Sequence, residues 1–258
     1  MKIVVFGAGN VSWHLTQALA KTNEIVQVYS RTLENARALA ERVGATACDS
    51  LDDITADADC YIISVVDDAI EPIAKHFSGF APDALWVHTS GSRQMSALEG
   101  VSAHYGVLYP LQTFTKSASV NVTEIPFFIE GNTAETTDAI KALAGMMSTQ
   151  VFEADSDRRK RMHIAAVFAS NFANALWRIA DEELSKDGIP FSVLMPLIRA
   201  SVEKLCTVTP EQGQTGPARR GDVGILRNHL SMLEGENQEI YRLLSENILK
   251  HYNHNSKL

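Results

Sequence analysis

A glycine-rich turn directly after an apolar segment constrains the fold of this chain more than any other feature. Residues 2–6 are mostly apolar, the turn Gly7-Ala8-Gly9-Asn10-Val11-Ser12 follows at once, and residues 13–21 show a helical pattern. A strand, a glycine turn and a helix in this order form the phosphate-binding start of a dinucleotide fold. We expect Gly7 to permit the tight turn and Gly9 to leave room for a pyrophosphate. The helix N-terminus then directs unpaired N–H groups at the anion.

Four residues of this turn, Gly7, Gly9, Asn10 and Val11, are therefore candidate cofactor contacts. The third small position of the fingerprint holds Ser12 instead of glycine or alanine. We expect looser packing between helix and strand there, without loss of the site. The alternative is a strand-to-helix turn that binds nothing.

The bulk properties exclude several classes of function. The chain has 258 residues and a formal net charge of −8, which argues against a nucleic-acid or anionic-membrane surface. No apolar run approaches the roughly 18 residues of a membrane span, and no signal peptide is expected before Gly7, so we expect a cytoplasmic protein. The three cysteines are widely spaced, which indicates neither a metal site nor a disulfide framework.

Two kinds of segment follow one another along the chain. Strand and helix patterns alternate up to residue 154, which predicts an α/β domain with a doubly wound parallel sheet. After Asp155 only helical patterns remain, over 158–185, 190–207, 222–233 and 235–252. We therefore predict a dinucleotide-binding domain over 1–154 and an all-α substrate and dimerisation domain over 155–258.

The end of the second strand indicates which nucleotide binds. An acidic residue there accepts hydrogen bonds from the ribose of NAD, whereas arginine accommodates the extra phosphate of NADP. Here the strand ends in Ser30-Arg31-Thr32, and no carboxylate lies between Ile25 and Leu33. This predicts NADP(H), with Arg31 in simple contact with solvent as the alternative.

Two further strand ends are expected to border the nicotinamide ribose and the substrate, because ligands of open α/β sheets bind at the carboxyl ends of strands. Ser64, Val65 and Val66 end one predicted strand, and Thr89 and Ser90 follow another. Two carboxylates come directly after the first of these segments, at positions 67 and 68. We expect at least one of the two to cap the next helix.

A polar stripe marks the first long helix of the second domain. At helical spacing it includes His163, Asn171 and Asn174, on a segment that is otherwise apolar. His and Asn, in place of Lys and Glu, indicate a cleft, with a polar seam between packed helices as the alternative. Arg220 lies in a predicted loop in which Gly216-Pro217 breaks regular structure. Its guanidinium could hold a carboxylate or be a solvated charge.

These segments resemble a family of Rossmann-like, NADP-dependent oxidoreductase-type proteins with a C-terminal helical domain of unknown function. That layout is similar to pyrroline-5-carboxylate reductase, ketopantoate reductase and the 6-phosphogluconate dehydrogenase group. The resemblance implies that the sheet domain holds NADP, that the helical domain closes over the substrate and that the helical domains form a dimer. The segments that carry it are Gly7–Val11, His88–Ser92, Tyr109–Phe114, His163–Phe172, Thr215–Pro217 and Arg220–Asp222.

The chain also departs from its relatives. Ser12 and Trp13 replace small residues, and Tyr109 stands where relatives often have His. The lysine proton donor of β-hydroxyacid dehydrogenases does not carry over, because no Lys lies between Met162 and Glu183.

We therefore predict an NADP-dependent oxidoreductase that acts on a small C=O or C=N compound, or on the corresponding hydroxy or amino compound. His163 is the candidate proton donor, since imidazole titrates near neutral pH. Asn171 and Asn174 would orient the substrate, and Arg220 would hold a carboxylate. The rival prediction is a non-catalytic NADP-binding redox sensor that acts through its helical domain. A methyltransferase is disfavoured by Arg31, and the apolar helical domain predicts a homodimer.

Overall fold

The computed structural model describes residues 1–254. The chain divides into two compact units, Met1–Asn171 and a second one that begins at Phe172. The predicted functional boundary at residue 154 remains a prediction. It differs from this division because the helix that follows residue 155 packs with the sheet.

One eight-stranded sheet forms the centre of the first unit, and its strands lie in the order β3-β2-β1-β4-β5-β6-β7-β8. All neighbouring strands are parallel except β6 and β7, which are antiparallel. The predicted doubly wound sheet is thereby confirmed, and the antiparallel pair β6·β7 departs from the predicted all-parallel arrangement. The strands are β1 (Lys2–Phe6), β2 (Glu24–Tyr29), β3 (Thr46–Cys48), β4 (Cys60–Ile63), β5 (Leu85–His88), β6 (His104–Pro110), β7 (Phe127–Gly131) and β8 (Val151–Glu153).

Helices cover both faces of this sheet, because alternate strand residues point to opposite sides. In β1, Ile3 and Val5 join the core beneath one group of helices, whereas Val4 and Phe6 join the core on the other side. The helices of the first unit are α1 (Asn10–Leu19), α2 (Leu33–Val43), α3 (Asp67–His76), α4 (Ala134–Gly145) and α5 (Ser156–Ala166). Helices α1, α2 and α4 contribute to the first core, and α3 contributes to the second.

The strand order creates a crevice at one edge of the sheet. Strand β1 lies between β2 and β4, so the connections after β1 and β4 leave in opposite directions. Ligands of open α/β sheets bind at such a reversal, outside the carboxyl ends of the strands. The fold therefore positions the ends of β1, β2, β4, β5 and β6 around one crevice.

Helices are the regular elements of the second unit as far as residue 254. They are α6 (Ala173–Ser185), α7 (Met195–Lys204), α8 (Pro210–Gly213), α9 (Pro217–Arg220), α10 (Val223–Met232) and α11 (Gly235–His251). The all-helical prediction for this part is confirmed, and the short helices α8 and α9 are additions to it. Helix α5 continues into α6 through a π-helical segment, Val167–Phe172. Across residues 1–254, no helix has both the length and the apolar character that crossing a membrane requires.

Candidate functional site

The turn after β1 has the geometry of an anion cradle. Gly7 has φ +107°, and a Cβ at this position would lie 2.1 Å from the carbonyl oxygen of Ser64, so only glycine fits. Gly9 is the N-cap of α1, and no side chain caps this helix. A Cβ on Gly9 would have no described atom within 4 Å. The first N–H groups of α1 therefore face open space, which fits a phosphate group.

Ser12 does not loosen this turn, contrary to the sequence-based expectation. Its side chain is 1% exposed, and its hydroxyl donates a hydrogen bond of 3.2 Å to the carbonyl oxygen of Ser64. The same carbonyl group limits the space beside Gly7. Serine in the third fingerprint position thus ties α1 to the end of β4.

A cleft of about 720 Å³ lies over this turn, within the volume range of small-molecule sites. Thr32, the N-cap of α2, is not among its lining residues. Every other predicted cofactor contact lines it, namely Gly7, Gly9, Asn10, Val11, Ser30, Arg31, Ser64, Val65, Val66, Thr89 and Ser90. The structure therefore brings together strand ends that the sequence analysis could place only one by one.

Arg31 lies at the mouth of the cleft, directly after β2. Its side chain is exposed, and it forms no ion pair within the described part of the chain. Ser30 lines the cleft beside it. An unpaired guanidinium next to a hydroxyl offers both charge and hydrogen bonds to a phosphate ester.

Hydrogen bonds fix the loop after β5 against the end of β4. The Thr89 hydroxyl donates to the Ser64 hydroxyl at 3.1 Å, and the Ser90 hydroxyl accepts the backbone N–H groups of Ser92 and Arg93 at 3.1 and 3.0 Å. This loop is therefore rigid where it borders the cleft.

The two carboxylates at the start of α3 hold the same loop and do not cap the helix. Val66 is the N-cap, without a side-chain cap. Asp67 accepts a hydrogen bond from the Ser92 hydroxyl, and Asp68 pairs with Arg93. The capping prediction was wrong because both carboxylates lie in the first turn, one and two residues after the N-cap, and bond to the neighbouring loop.

His88, at the end of β5, is a buried neutral imidazole. Its Nδ1 accepts the N–H of Ser90 at 3.2 Å, so its Nε2 carries the proton and donates to the carbonyl oxygen of Gln94 at 3.2 Å. Burial, with a smaller effect of the Arg159 charge, lowers the pKa of His88 to about 4. His88 therefore shapes the loop and does not exchange protons near neutral pH.

Tyr109 and His163, here called the cleft pair, are in contact where β6 and α5 border the cleft. The Tyr109 hydroxyl lies 3.1 Å from His163 Nδ1, and both residues line the cleft. A Cβ on Gly91 would lie 2.7 Å from His163 Nδ1 and 2.7 Å from Tyr109 Cζ. Gly91 is thus the residue that leaves room for the pair. Neither this role of Gly91 nor the contact itself was predicted.

A fully buried arginine lies one helical turn before His163. Arg159 has no exposed side-chain surface, pairs with Glu130 on β7, and donates to the carbonyl oxygen of Arg93. Ser156 donates to Glu130 at 2.7 Å within the same network. Arg159 therefore connects α5, which carries His163, to β7 and to the loop after β5.

Of the remaining predicted catalytic residues, Asn171 is not among those that line this cleft, and Asn174 and Arg220 belong to the second unit. Asn171 lies in the π-helical segment, which interrupts the regular spacing behind the predicted polar stripe. Asn174 is exposed on α6. The Arg220 guanidinium pairs with Asp222 at 2.8 Å, and Asp222 is the N-cap of α10. Catalytic roles for Asn171, Asn174 and Arg220 stay predictions.

No three His, Cys, Asp or Glu side chains among residues 1–254 come together as a set of metal ligands. The cleft offers backbone N–H groups, hydroxyls and one arginine, which suit a nucleotide diphosphate.

Comparison with known proteins identifies the family. Residues 2–90 match a family described as "NADP oxidoreductase coenzyme F420-dependent", and residues 125–248 match one described as "Domain of unknown function". The crystal structure of a "putative NADP oxidoreductase" from Bacteroides fragilis is 43% identical, with a TM-score of 0.92, over 96% of this chain and 98% of that one. The chain belongs to this family of NADP oxidoreductases, in which a dinucleotide-binding domain precedes a helical domain.

More distant structures share the fold. A pyrroline-5-carboxylate reductase from Streptococcus pyogenes is 14% identical, with a TM-score of 0.65, over 98% of each chain. An imine reductase from Myxococcus stipitatus, solved in complex with NADP+, is 15% identical, with a TM-score of 0.64, over 98% of this chain and 93% of that one. No curated protein sequence matches the chain. The family assignment confirms NADP(H) as the cofactor and confirms the resemblance described above.

Proposed function

We propose that this protein is an NADPH-dependent reductase of a small C=O or C=N compound. The observation that carries the proposal is that the uncapped glycine turn and the cleft pair line one cleft. Bound NADPH supplies a hydride, and the protein must position the substrate and provide one proton. Proteins of the same fold include a pyrroline-5-carboxylate reductase and imine reductases, which supports the inclusion of imines among the compounds to test.

In this proposal the turn at Gly7 and Gly9 binds the pyrophosphate, and Arg31 binds the extra phosphate that distinguishes NADPH from NADH. Arg31→Ala should therefore weaken NADPH binding by about 10- to 150-fold, the loss of one charge-assisted contact of roughly 1.5–3 kcal/mol. NADH binding should change little. Equal losses for the two nucleotides would refute the role of Arg31.

Turnover tests the activity directly. Purified protein is mixed with NADPH and a panel of small ketones, aldehydes and cyclic imines, and the oxidation of NADPH is followed. Turnover of at least one compound is expected. Tight NADPH binding without any turnover, together with a partner whose binding depends on the nucleotide, would support the redox-sensor alternative instead.

We also propose that the protein is a homodimer through its helical unit. That unit buries few apolar side chains, with Ala218, Leu226 and Leu249 as its described core. Large apolar side chains remain exposed on several helices, among them Leu197 at 64% and Met232 at 70%. A second copy of the chain would cover surface of this extent and character. Sedimentation should give the mass of a dimer, and a monomer at micromolar concentration would contradict this.

A further inference from the structure

Tyr109 is poised to act on a substrate because of where its strand ends. Strand β6 is parallel to β5, with Val107 opposite His88, so Tyr109 lies at the same sheet edge as Ser90. The Tyr109 side chain is 7% exposed, and what remains accessible lines the cleft. Its hydroxyl is thus the titratable O–H that β6 contributes to the site.

The hydrogen bond to His163 determines what this hydroxyl can donate. When Nδ1 of His163 carries no proton, it accepts the Tyr109 O–H, and that proton points away from a substrate. When Nδ1 is protonated, it donates to the Tyr109 oxygen, and the phenol proton is free to point into the cleft. The 3.1 Å separation of the two atoms allows both arrangements.

Burial favours the protonated form of the Tyr109 phenol, and the nearby Arg159 charge partly offsets this by favouring the tyrosinate. Burial raises the pKa of Tyr109, and the Arg159 charge opposes this. Arg159 is itself held by Glu130, and the further titratable groups near this network are His88, which is neutral, and Asp67, which bonds Ser92. The phenol therefore keeps its proton at neutral pH, while a buried cation stabilises the tyrosinate that a donation would leave.

We propose that Tyr109 is the catalytic acid of this site and that His163 is a positioning residue acting through it. The inference rests on the proposed function and revises the prediction that His163 itself is the donor. As the substrate carbon gains the hydride, the C=O or C=N π bond breaks and its electron pair moves to the heteroatom. The heteroatom takes the proton of the Tyr109 hydroxyl. The tyrosinate then takes the Nδ1 proton of His163, which is replaced from water.

Gly91 is the structural condition for this arrangement. Any side chain at this position would meet both members of the cleft pair. A pair that served packing alone could be built with larger neighbours. Gly91 does not have a positive φ, so its backbone conformation does not require glycine. The close approach of the Tyr109 and His163 side chains does.

The first arm of the test needs no substrate. Tyrosine labelled with ¹³C at Cζ gives six resonances, and the one lost in Tyr109→Phe belongs to Tyr109. Its chemical shift should change in His163→Asn, because an amide replaces the imidazole whose Nδ1 lies 3.1 Å from the Tyr109 hydroxyl. The resonance of Tyr61, whose hydroxyl donates to the Thr55 carbonyl oxygen at 2.9 Å, is the internal control and should stay still. A Tyr109 resonance that is the same in wild type and in His163→Asn overturns the proposal.

The second arm measures NADPH binding and turnover of the best compound of the ketone and imine panel. Tyr109→Phe should lower kcat by about 10²–10⁴-fold with little change in KM or in NADPH affinity. His163→Asn should lower kcat less than Tyr109→Phe does, again with little change in KM, because it keeps the phenol and alters only the group that bonds it. Tyr105→Phe, on the same strand but outside the cleft lining, is the matched control and should behave as wild type.

The outcomes separate this inference from the proposed function. If the wild type is active and Tyr109→Phe has an unchanged kcat, Tyr109 is not the catalytic acid, and the proposed reductase function still stands. A wild type that binds NADPH but reduces no panel compound overturns the proposed function, and the catalytic role of Tyr109 falls with it. The comparison of the Tyr109 resonance between wild type and His163→Asn then still decides whether the two side chains are coupled.

Discussion

Replacing Gly9 by alanine should weaken nucleotide binding without unfolding the protein. The backbone at Gly9, with φ −80° and ψ −170°, is open to any residue. Because a Cβ there would meet no described atom within 4 Å, the methyl group disturbs nothing in the folded chain. It would instead occupy the space directly before the first N–H groups of α1, where a phosphate must approach.

The magnitude follows from the contacts that this methyl group displaces. A hydrogen bond to a charged group contributes about 1.5–3 kcal/mol, so losing one phosphate contact should weaken NADPH binding by about 10- to 150-fold. Stability should change by less than about 1 kcal/mol. Alanine is a poorer N-cap than glycine, but it also lowers the entropy of the unfolded chain, and the two effects oppose each other.

Isothermal titration calorimetry and thermal unfolding of the same samples provide the assay, with Gly7→Ala for comparison. That variant should lose about 2–5 kcal/mol of stability, since it combines a strained positive φ with a Cβ 2.1 Å from the Ser64 carbonyl oxygen. Wild-type NADPH affinity in a well-folded Gly9→Ala protein would refute the proposal that this turn binds a phosphate of the nucleotide.

Three further outcomes are expected. Gly91→Ala should separate the cleft pair and change the chemical shift of the Tyr109 phenol resonance, whereas Gly145→Ala, with no described atom within 4 Å of its Cβ, should not. Glu130→Ala leaves the buried Arg159 guanidinium without its carboxylate and should lower the free energy of unfolding by about 3–5 kcal/mol in denaturant titrations. Burial lowers the pKa of His88 to about 4, below the 6.5 of a free imidazole, so the unfolded chain binds this proton first. Stability should therefore fall as pH drops from 6.5 to 4, and a His88→Asn protein should lack that part of the decline.

The sequence was sufficient for features that depend on neighbouring residues. The alternation of strands and helices up to residue 154 follows from local apolar patterns, and Gly7 and Gly9 follow from one local fingerprint. Arg31 could be placed because the end of the second strand is itself a local position. Each of these predictions needed only the rule that the carboxyl ends of parallel strands share one edge.

Contacts between side chains that are far apart in sequence could not be predicted. Tyr109 and His163 are 54 positions apart, and Gly91 makes room for both although it belongs to neither element. The polar stripe assumed an unbroken α-helix, and no local signal announced the π-helical segment Val167–Phe172. Likewise, Asp67 resembles a helix cap in sequence but bonds Ser92 across the cleft loop.

The most direct test of this account is a calorimetric titration of nucleotide-free protein with NADPH and, separately, with NADH. An uncapped helix N-terminus at Gly9 and an unpaired arginine after β2 predict saturable binding of both, with NADPH the tighter ligand. Saturation by neither nucleotide would contradict the central claim that this cleft is a dinucleotide site. Tighter binding of NADH would contradict the role given to Arg31.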